Sequence, residues 1–124
     1  MNLWLVIAAG GALGAVTRYA ASTAIYAWLG RGFPYGTLFV NVAGSLLMGF
    51  LFVWLLERMT LSAEWRAMIL VGFLGSFTTF STFSMETLSL LEQADYFKAA
   101  GNVLVSVVLC LLACWIGILV ARSL

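Results

Sequence analysis

The few polar side chains of this sequence stand mostly inside long apolar segments. Arg18, Asn41 and Glu86 each have hydrophobic neighbours, and Asn102 and Ser106 lie in another such segment. If these segments cross a bilayer, a charged or hydrogen-bonding group there is costly and must face protein, a cavity or an interface. Arg18 and Glu86 could instead lie where water reaches them. Asn41 could form a purely structural hydrogen bond between helices.

Residues 72–83, GFLGSFTTFSTF, combine glycine, hydroxyl and phenylalanine side chains in one short stretch. Gly72 and Gly75 weaken a helix, and the hydroxyl groups after them can bond to backbone in place of the regular ladder. We therefore predict a broken helix, with non-helical backbone around Gly75 to Thr78. A break at membrane depth must be buried in protein or line a cavity. It would expose amide hydrogens, and carbonyl oxygens able to coordinate a hard cation.

The helix is predicted to resume with two phenylalanines on one face and polar residues on the next. Phe80 and Phe83 are three residues apart, and Thr79, Thr82 and Glu86 lie beside them. A phenyl ring has an electropositive edge, so two rings presented edge-on can meet a small anion without binding it tightly. Weak sites in series suit conduction. These residues predict a path for a small anion or dipolar solute, with plain core packing of the rings as the alternative.

The last apolar segment carries a stripe of small polar side chains at every fourth residue. The stripe consists of Asn102, Ser106, Cys110 and Cys114. This spacing places them on one slowly drifting helix face, as expected of one wall of a permeation path. A contact between helices would favour the same residue types. The spacing of the two cysteines suits neither a zinc site nor a disulfide framework, so we expect them to be small buried side chains.

Composition points to a membrane protein and away from an enzyme. The chain has 124 residues, of which 64% are hydrophobic and 9% charged. A soluble protein of this size has too much surface to hide so many apolar side chains. Histidine is absent, which removes the commonest metal ligand and the usual proton shuttle, and a net charge of only +1 gives no basic patch for nucleic acid. No serine stands beside an evident base, so an intramembrane enzyme is not favoured.

The charged residues divide the chain into four apolar segments, about residues 3–29, 36–57, 66–91 and 98–121. Each is long enough for a transmembrane helix. The first lacks a basic leader, so we interpret it as a retained span rather than a signal peptide. The predicted fold is all-α: a single four-span domain over residues 1–124, with the third helix broken.

The basic residues give no preferred orientation. One side of the predicted bundle has Arg58, Arg66 and Arg122, and the other has Arg31 and Lys98, with Arg18 a possible addition. Such balance is compatible with insertion both ways up. Four short helices alone pack solid, so we predict an antiparallel homodimer of eight helices. Small-residue pairs would let helices approach closely, namely Gly10 with Gly14, Gly11 with Ala15, and Ser45 with Gly49.

Three stretches resemble the small bacterial fluoride channels of the Fluc or CrcB family. They are GGALGAVTRY at Gly10–Tyr19, GTLFVNVAGS at Gly36–Ser45, and the stretch at residues 72–83. The resemblance implies an antiparallel, dual-topology dimer in the bacterial inner membrane, with two pores for passive fluoride export. It also implies a sodium ion held at the dimer interface.

The resemblance also implies roles for individual residues. Phe80, Phe83 and Asn41 match pore-lining positions, and Ser106 matches a pore-side hydroxyl on the fourth span. Thr79, Thr82 and Glu86 match a polar track beside the phenylalanines. Backbone carbonyls of Gly75 and Thr78 match the sodium ligands, and Arg18 matches the arginine of the first motif, near an entrance.

Two residues depart from the family pattern. Ser76 stands where a second glycine is common, which leaves the shape of the break open. Asn102 stands where a tyrosine is expected, so one end of the pore could differ.

Two other classes of membrane protein remain as alternatives. A proton-coupled multidrug exporter needs a carboxylate deep in the membrane, and Glu86 is the only candidate. A helper of a larger complex would explain the small-residue pairs, but it leaves the hydroxyl-rich third span without a purpose.

Overall fold

The structure, a computed structural model, describes residues 2–124 and is built almost entirely of helices. Four of its segments are long and apolar enough to cross a membrane, as predicted, and their limits lie within three residues of the predicted ones. The third segment, Ala63–Glu92, is divided in two. In chain order the helices are α1 (Leu3–Leu29), α2 (Tyr35–Val53), α3 (residues 63–77), α4 (Phe80–Glu92) and α5 (Tyr96–Ser123).

Two parts of the bundle are wound more widely than an α-helix. α2 continues into a π-helical turn at Trp54–Arg58, and most of α3 is π-helical between Ala67–Leu74. Local signals limit the first two helices. Gly30 ends α1 with a φ of 82°, and its N–H donates to the Tyr26 carbonyl (2.8 Å). Pro34 then precedes α2, where its missing N–H costs nothing.

Because the chain crosses the bundle four times, α2 and α5 run parallel to each other. Polar contacts at both ends agree with this direction. At one end Arg58 donates to the Arg122 carbonyl (2.9 Å), and at the other Lys98 donates to the Gly32 carbonyl (2.9 Å). Each loop-side cation therefore holds α2 or its flanking loop against α5.

Glycines let α1 and α3 approach until their backbones touch. A Cβ added at Gly10 would clash with the Met68 carbonyl, and one at Gly14 would clash with the Phe73 carbonyl. From the other helix, a Cβ on Gly72 would lie 2.7 Å from the Ile7 carbonyl oxygen. The predicted close approach at Gly10 and Gly14 is confirmed, and the partner of α1 there is α3.

The same device joins α2 to α5. A Cβ at Gly49 would clash with the Cys114 carbonyl, and one at Gly117 would clash with the Leu46 carbonyl. Large apolar side chains meanwhile point outward, among them Trp4 at 82% and Phe97 at 90% exposure. An apolar exterior around a core of close backbone contacts is the arrangement expected of a membrane bundle.

Candidate functional site

The third span is broken at Thr78 and Thr79. Thr78 has φ −88° and ψ 157°, and Thr79 has φ −152° and ψ 113°, so both are extended. The predicted break is confirmed, but its predicted position around Gly75 to Thr78 is wrong for the first three residues. Gly75–Phe77 is α-helical, with Gly75 at φ −61° and ψ −32°. Hydrogen bonds made from outside the span, rather than the weakness of glycine, determine where it opens.

Asn41 provides two of those bonds. Its Oδ1 accepts from the Thr79 N–H (2.7 Å), and its Nδ2 donates to the Thr79 carbonyl (3.0 Å). The side-chain amide thus pairs with an extended residue as a neighbouring strand would. This is the interhelical hydrogen bond that the sequence left open as a structural alternative for Asn41. It stabilises backbone that would otherwise be unpaired at membrane depth.

Threonine hydroxyls close the two helix ends on either side of the break. Thr78 Oγ1 donates to the Leu74 carbonyl (3.0 Å) at the end of α3. Thr79 caps α4, because its Oγ1 accepts from the Thr82 N–H (3.2 Å) and donates to Thr82 Oγ1 (2.9 Å). The hydroxyl-rich sequence is therefore used to satisfy a break in the ladder.

These substitute bonds leave particular carbonyl groups without their regular donors. In an unbroken helix the Gly75 carbonyl would accept from the Thr79 N–H, which instead donates to Asn41. The Thr78 carbonyl would accept from the Thr82 N–H, which instead donates to Thr79 Oγ1. Carbonyl oxygens are ligands suited to a hard cation. The donor set at Gly75 and Thr78 therefore fits a sodium ion.

Arg18 lies near the middle of α1, at the level of the break. Its Nε donates to the Ser76 carbonyl (3.0 Å), whose regular donor would be the N–H of Phe80. The guanidinium group thus bonds within the span rather than extending to an interface. Ser76 itself stays helical, and a Cβ on Gly11 would lie 3.3 Å from its Oγ. Serine in place of the family's second glycine at position 76 is therefore compatible with a helical end of α3.

An open groove of about 420 Å³ runs alongside the break, between α2, α4 and α5. Gly44 lines the groove and makes room for the Thr78 side chain, because a Cβ there would clash with Thr78 Cγ2. The groove is mostly apolar, with a few polar and sulfur-containing groups. Those that matter for its chemistry are Asn41, Ser45, Met48, Thr78, Thr79, Phe80, Phe83, Ser106, Cys110 and Cys114.

Phe80 and Phe83 form a tilted pair at the groove, with ring centroids 5.3 Å apart and planes at 43°. Phe83 is buried, at 8% exposure, whereas Phe80 is 76% exposed on the outer surface of the chain. Plain core packing therefore accounts for Phe83 but not for Phe80. The Phe80 ring packs against Phe83 on one side and is uncovered on the other.

Ser106 reaches the groove, but Asn102 lies behind the groove wall. Asn102 is buried at 2% exposure, and its Nδ2 donates to Thr87 Oγ1 (2.9 Å). Thr87 in turn donates to the Phe83 carbonyl (2.8 Å), and Ser106 donates to Asn102 Oδ1 (3.3 Å). Asn102 therefore joins α5 to the backbone of α4 rather than lining an end of the groove. Ser106, Cys110 and Cys114 from the predicted stripe do share it.

Glu86 belongs to a second cavity of about 380 Å³, near the loop end of α4. Its Oε2 accepts from the Tyr26 hydroxyl (2.7 Å), which is 3.4 Å from Thr37 Oγ1. Glu86 Oε1 is buried without a hydrogen-bond partner among residues 2–124. Arg31 and Lys98 line the same cavity. Glu86 therefore lies away from the groove that contains Phe80. Thr82 does not line that groove, although its hydroxyl accepts from the groove residue Thr79 (2.9 Å).

The structure brings together polar residues from all three glycine-containing stretches at the break. Arg18, Asn41 and Thr79 come from separate spans, and each bonds to or belongs to the opened backbone. Sequence reasoning missed Thr87 and Tyr26, the partners of Asn102 and Glu86. Thr87 stands five residues after Thr82 inside the same hydroxyl-rich span, which was a usable signal; Tyr26 offered none.

The fold and this site define a multi-pass membrane protein with an interrupted third span beside a narrow, partly polar groove. Its sequence agrees with that class. The family model described as CrcB-like protein, Camphor Resistance (CrcB), matches residues 5–118. The chain therefore belongs to the CrcB-like family.

Individual relatives are similar over the whole chain. A fluoride-specific ion channel FluC of Methylococcus capsulatus is 61% identical over 100% of this chain, which spans 55% of that relative's length. Proteins of the same name from Coxiella burnetii and Geobacter sulfurreducens are each 50% identical, over 100% of both chains.

Proposed function

We propose that this chain forms a fluoride-selective channel in the bacterial inner membrane, through which fluoride leaves the cell passively. The observation that carries the proposal is the groove, in which amide, hydroxyl and phenyl groups meet at the break of a membrane span. Membership of the CrcB-like family supports it, as do full-length relatives named for fluoride conduction.

The groove offers the contacts that fluoride requires. Fluoride is compact, a strong hydrogen-bond acceptor and costly to dehydrate, so several weak donors must replace its water. Phe83 and Phe80 offer ring edges. The Thr79 and Ser106 hydroxyls can donate to the ion by exchanging their present acceptors, Thr82 Oγ1 and Asn102 Oδ1, for it. The Asn41 amide already bonds to Thr79, so its part is to fix the backbone beside the ion.

The working unit is an antiparallel dimer with two pores. Two observations support a second copy over the groove: Phe80 is 76% exposed, and the groove is open to one side. Polar groups facing hydrocarbon would be costly, whereas a second chain would cover them. Arg18 bonds within the bundle, so three basic residues remain at one end and two at the other. This near balance permits insertion in both orientations.

A sodium ion at the centre of the dimer is part of the proposal. The Gly75 and Thr78 carbonyls of both copies would hold it, since each has lost its regular helical donor. When bound, the ion supplies positive charge that balances the carbonyl dipoles. Gly75 is exposed, and in a helical conformation it needs no glycine for its backbone. A partner chain approaching closely there would require one.

Flux from liposomes that contain only the purified protein tests the function. Rapid fluoride efflux without a proton gradient, with chloride retained, is the expected result. Drug–proton exchange would favour the multidrug-exporter class, and no flux would favour a helper of a larger complex. The first of these is disfavoured because the Glu86 carboxylate already accepts from Tyr26 (2.7 Å).

Orientation is tested separately with two variants of a cysteine-free chain, each carrying one added cysteine. One cysteine is placed in the loop at residues 30–34 and the other in the loop at residues 59–62, at the opposite end of the bundle. In whole cells, an impermeant thiol reagent should label about half of the copies at either position, because dual insertion exposes each loop on both sides. Labelling of one loop only would rule out the antiparallel dimer while leaving the flux measurement intact.

A further inference from the structure

Three sulfur-containing side chains line one end of the groove. Cys110 and Cys114 lie on α5, and Met48 faces them from α2. The backbones are in contact at this level, because a Cβ on Gly49 would clash with the Cys114 carbonyl. Met48, the residue before Gly49, is therefore at about the same level of the bundle as Cys114, and both line the groove. Asn41, two turns earlier on α2, marks the opposite end of the groove, at the break.

The two cysteines are arranged so that their side chains can converge. They are four residues apart on a continuous helix, which separates their Cβ atoms by about 6 Å. Both are free and partly exposed, and both face the same open space. The expectation that they are small buried side chains is therefore wrong. Packing of α5 against α2 uses Gly117 and the Cys114 backbone, which leaves the thiols toward the groove.

We infer that Met48, Cys110 and Cys114 form a binding site for one soft monovalent cation of the copper(I) class. Thiolate and thioether sulfur are the ligands that such ions prefer. Among residues 2–124 there is no group of three histidine, cysteine or carboxylate residues able to hold a metal ion. A site for zinc is thereby disfavoured, because zinc prefers four such ligands.

Charge balance at membrane depth selects the form of the complex. One cysteine thiol loses its proton to water and binds the cation as a thiolate, so the pair carries no net charge. The second thiol and the Met48 thioether bind as neutral donors, and no electron is transferred. A neutral complex avoids the cost of burying an unpaired charge in the bilayer. One proton is released for each cation bound.

Occupation of this site would obstruct the groove, a consequence that rests on the proposed channel function. The groove volume of about 420 Å³ is shared by the sulfur residues and by Phe80 and Phe83. A cation with its sulfur ligands drawn inward narrows the end of the path farthest from the break. Binding itself requires only the three side chains, so the two claims can be separated.

Silver ion is the probe for the site, because it is a soft monovalent cation that resists oxidation and reduction in air. Titration of the detergent-purified protein in chloride-free buffer should give one tight silver ion per chain and release of one proton. The paired substitution Cys110→Ser with Cys114→Ser should abolish the tight site, and Met48→Leu should weaken it. Met85→Leu, which changes an exposed methionine outside the groove, is the matched control.

Circular dichroism and size exclusion establish that each variant is folded, and Met48→Leu supplies a second test if the cysteine pair does not fold. Equal tight binding in the wild type and in the folded variants, or none in the wild type, would overturn the site. In liposomes, silver should inhibit fluoride efflux of the wild type. In the cysteine variant it should inhibit less, relative to that variant's own flux. Silver binding without wild-type flux would instead contradict the channel function alone.

Discussion

Asn41 and Thr79 are joined by two hydrogen bonds, of 2.7 Å to the Thr79 N–H and 3.0 Å to its carbonyl. One side chain of α2 thus satisfies both backbone groups of the residue at which the third span is broken. The cost of an open helix at membrane depth is offset by this pairing. The break is therefore a property of two spans, and it should disappear or shift if either partner is changed.

Asn41→Leu should destabilise the fold, because it leaves the Thr79 N–H and carbonyl unpaired. An unsatisfied buried polar group costs about 1–3 kcal/mol, so the free energy of unfolding should fall by at least that amount. Denaturation in detergent measures it. Ser84→Ala is the control, since the Ser84 hydroxyl donates only to the Phe80 carbonyl of its own helix (2.9 Å). Equal stability of the wild type and Asn41→Leu would contradict this role.

Phe80→Ile and Phe83→Ile should both reduce fluoride flux sharply, but only the second should affect the stability of the single chain. Phe83 is buried and its replacement changes core shape, at a cost of about 1 kcal/mol. Phe80 is exposed, so its replacement removes a ring edge without disturbing the core. Liposome flux and detergent denaturation measure the two effects. Phe97→Ile, at a 90% exposed ring outside the groove, should change neither.

Unaltered flux in both groove variants would remove the rings from the conduction mechanism.

Gly14→Ala should destabilise the contact between α1 and α3. The added methyl group would clash with the Phe73 carbonyl, and separating two packed backbones costs about 1–3 kcal/mol. Gly101→Ala is a matched control on α5, because nothing lies within 4 Å of its added Cβ. Alanine there should stabilise the helix by roughly 0.5–1 kcal/mol. Thermal unfolding of the two variants should therefore shift in opposite directions, and a common shift would contradict the close packing.

Gly75→Ala should weaken the dimer and leave the single chain folded. Within the chain its added Cβ meets only the Leu70 carbonyl oxygen, at 3.8 Å, and the backbone is already helical. In the proposed dimer the partner's backbone approaches this position, so a methyl group would separate the copies. Single-molecule photobleaching in lipid measures the dimer fraction. An unchanged fraction would show that the interface lies elsewhere.

Thr87→Val should destabilise the chain through Asn102. The substitution keeps the shape but removes the hydroxyl that accepts from Asn102 Nδ2 (2.9 Å). Asn102 is only 2% exposed, so its unpaired amide should cost about 1–3 kcal/mol. Thr60→Val makes the same chemical change at an exposed loop residue and should be nearly neutral. Chemical denaturation in detergent compares the two, and equal midpoints would show that the bond between Asn102 and Thr87 does not stabilise the chain.

The sequence by itself determined the number of spans, their limits and the existence of a break. Long apolar segments between charged loops, with glycine and hydroxyl residues in the third, are local patterns that fold according to local rules. It also indicated four residues that line the groove, Asn41, Phe80, Phe83 and Ser106. Polar groups at membrane depth are costly unless they face protein or a cavity, and a pair of phenylalanines beside hydroxyl groups suggested the same path.

Tertiary structure alone decided where the break falls and which residues share a site. The chain opens at Thr79 rather than Gly75 because Asn41 of another span bonds there, and no local propensity contains that partner. Asn102 likewise donates to Thr87, and Glu86 accepts from Tyr26, and each partner belongs to another span. Hydrogen bonds between spans depend on how helices pack, and glycine contacts between backbones set that packing.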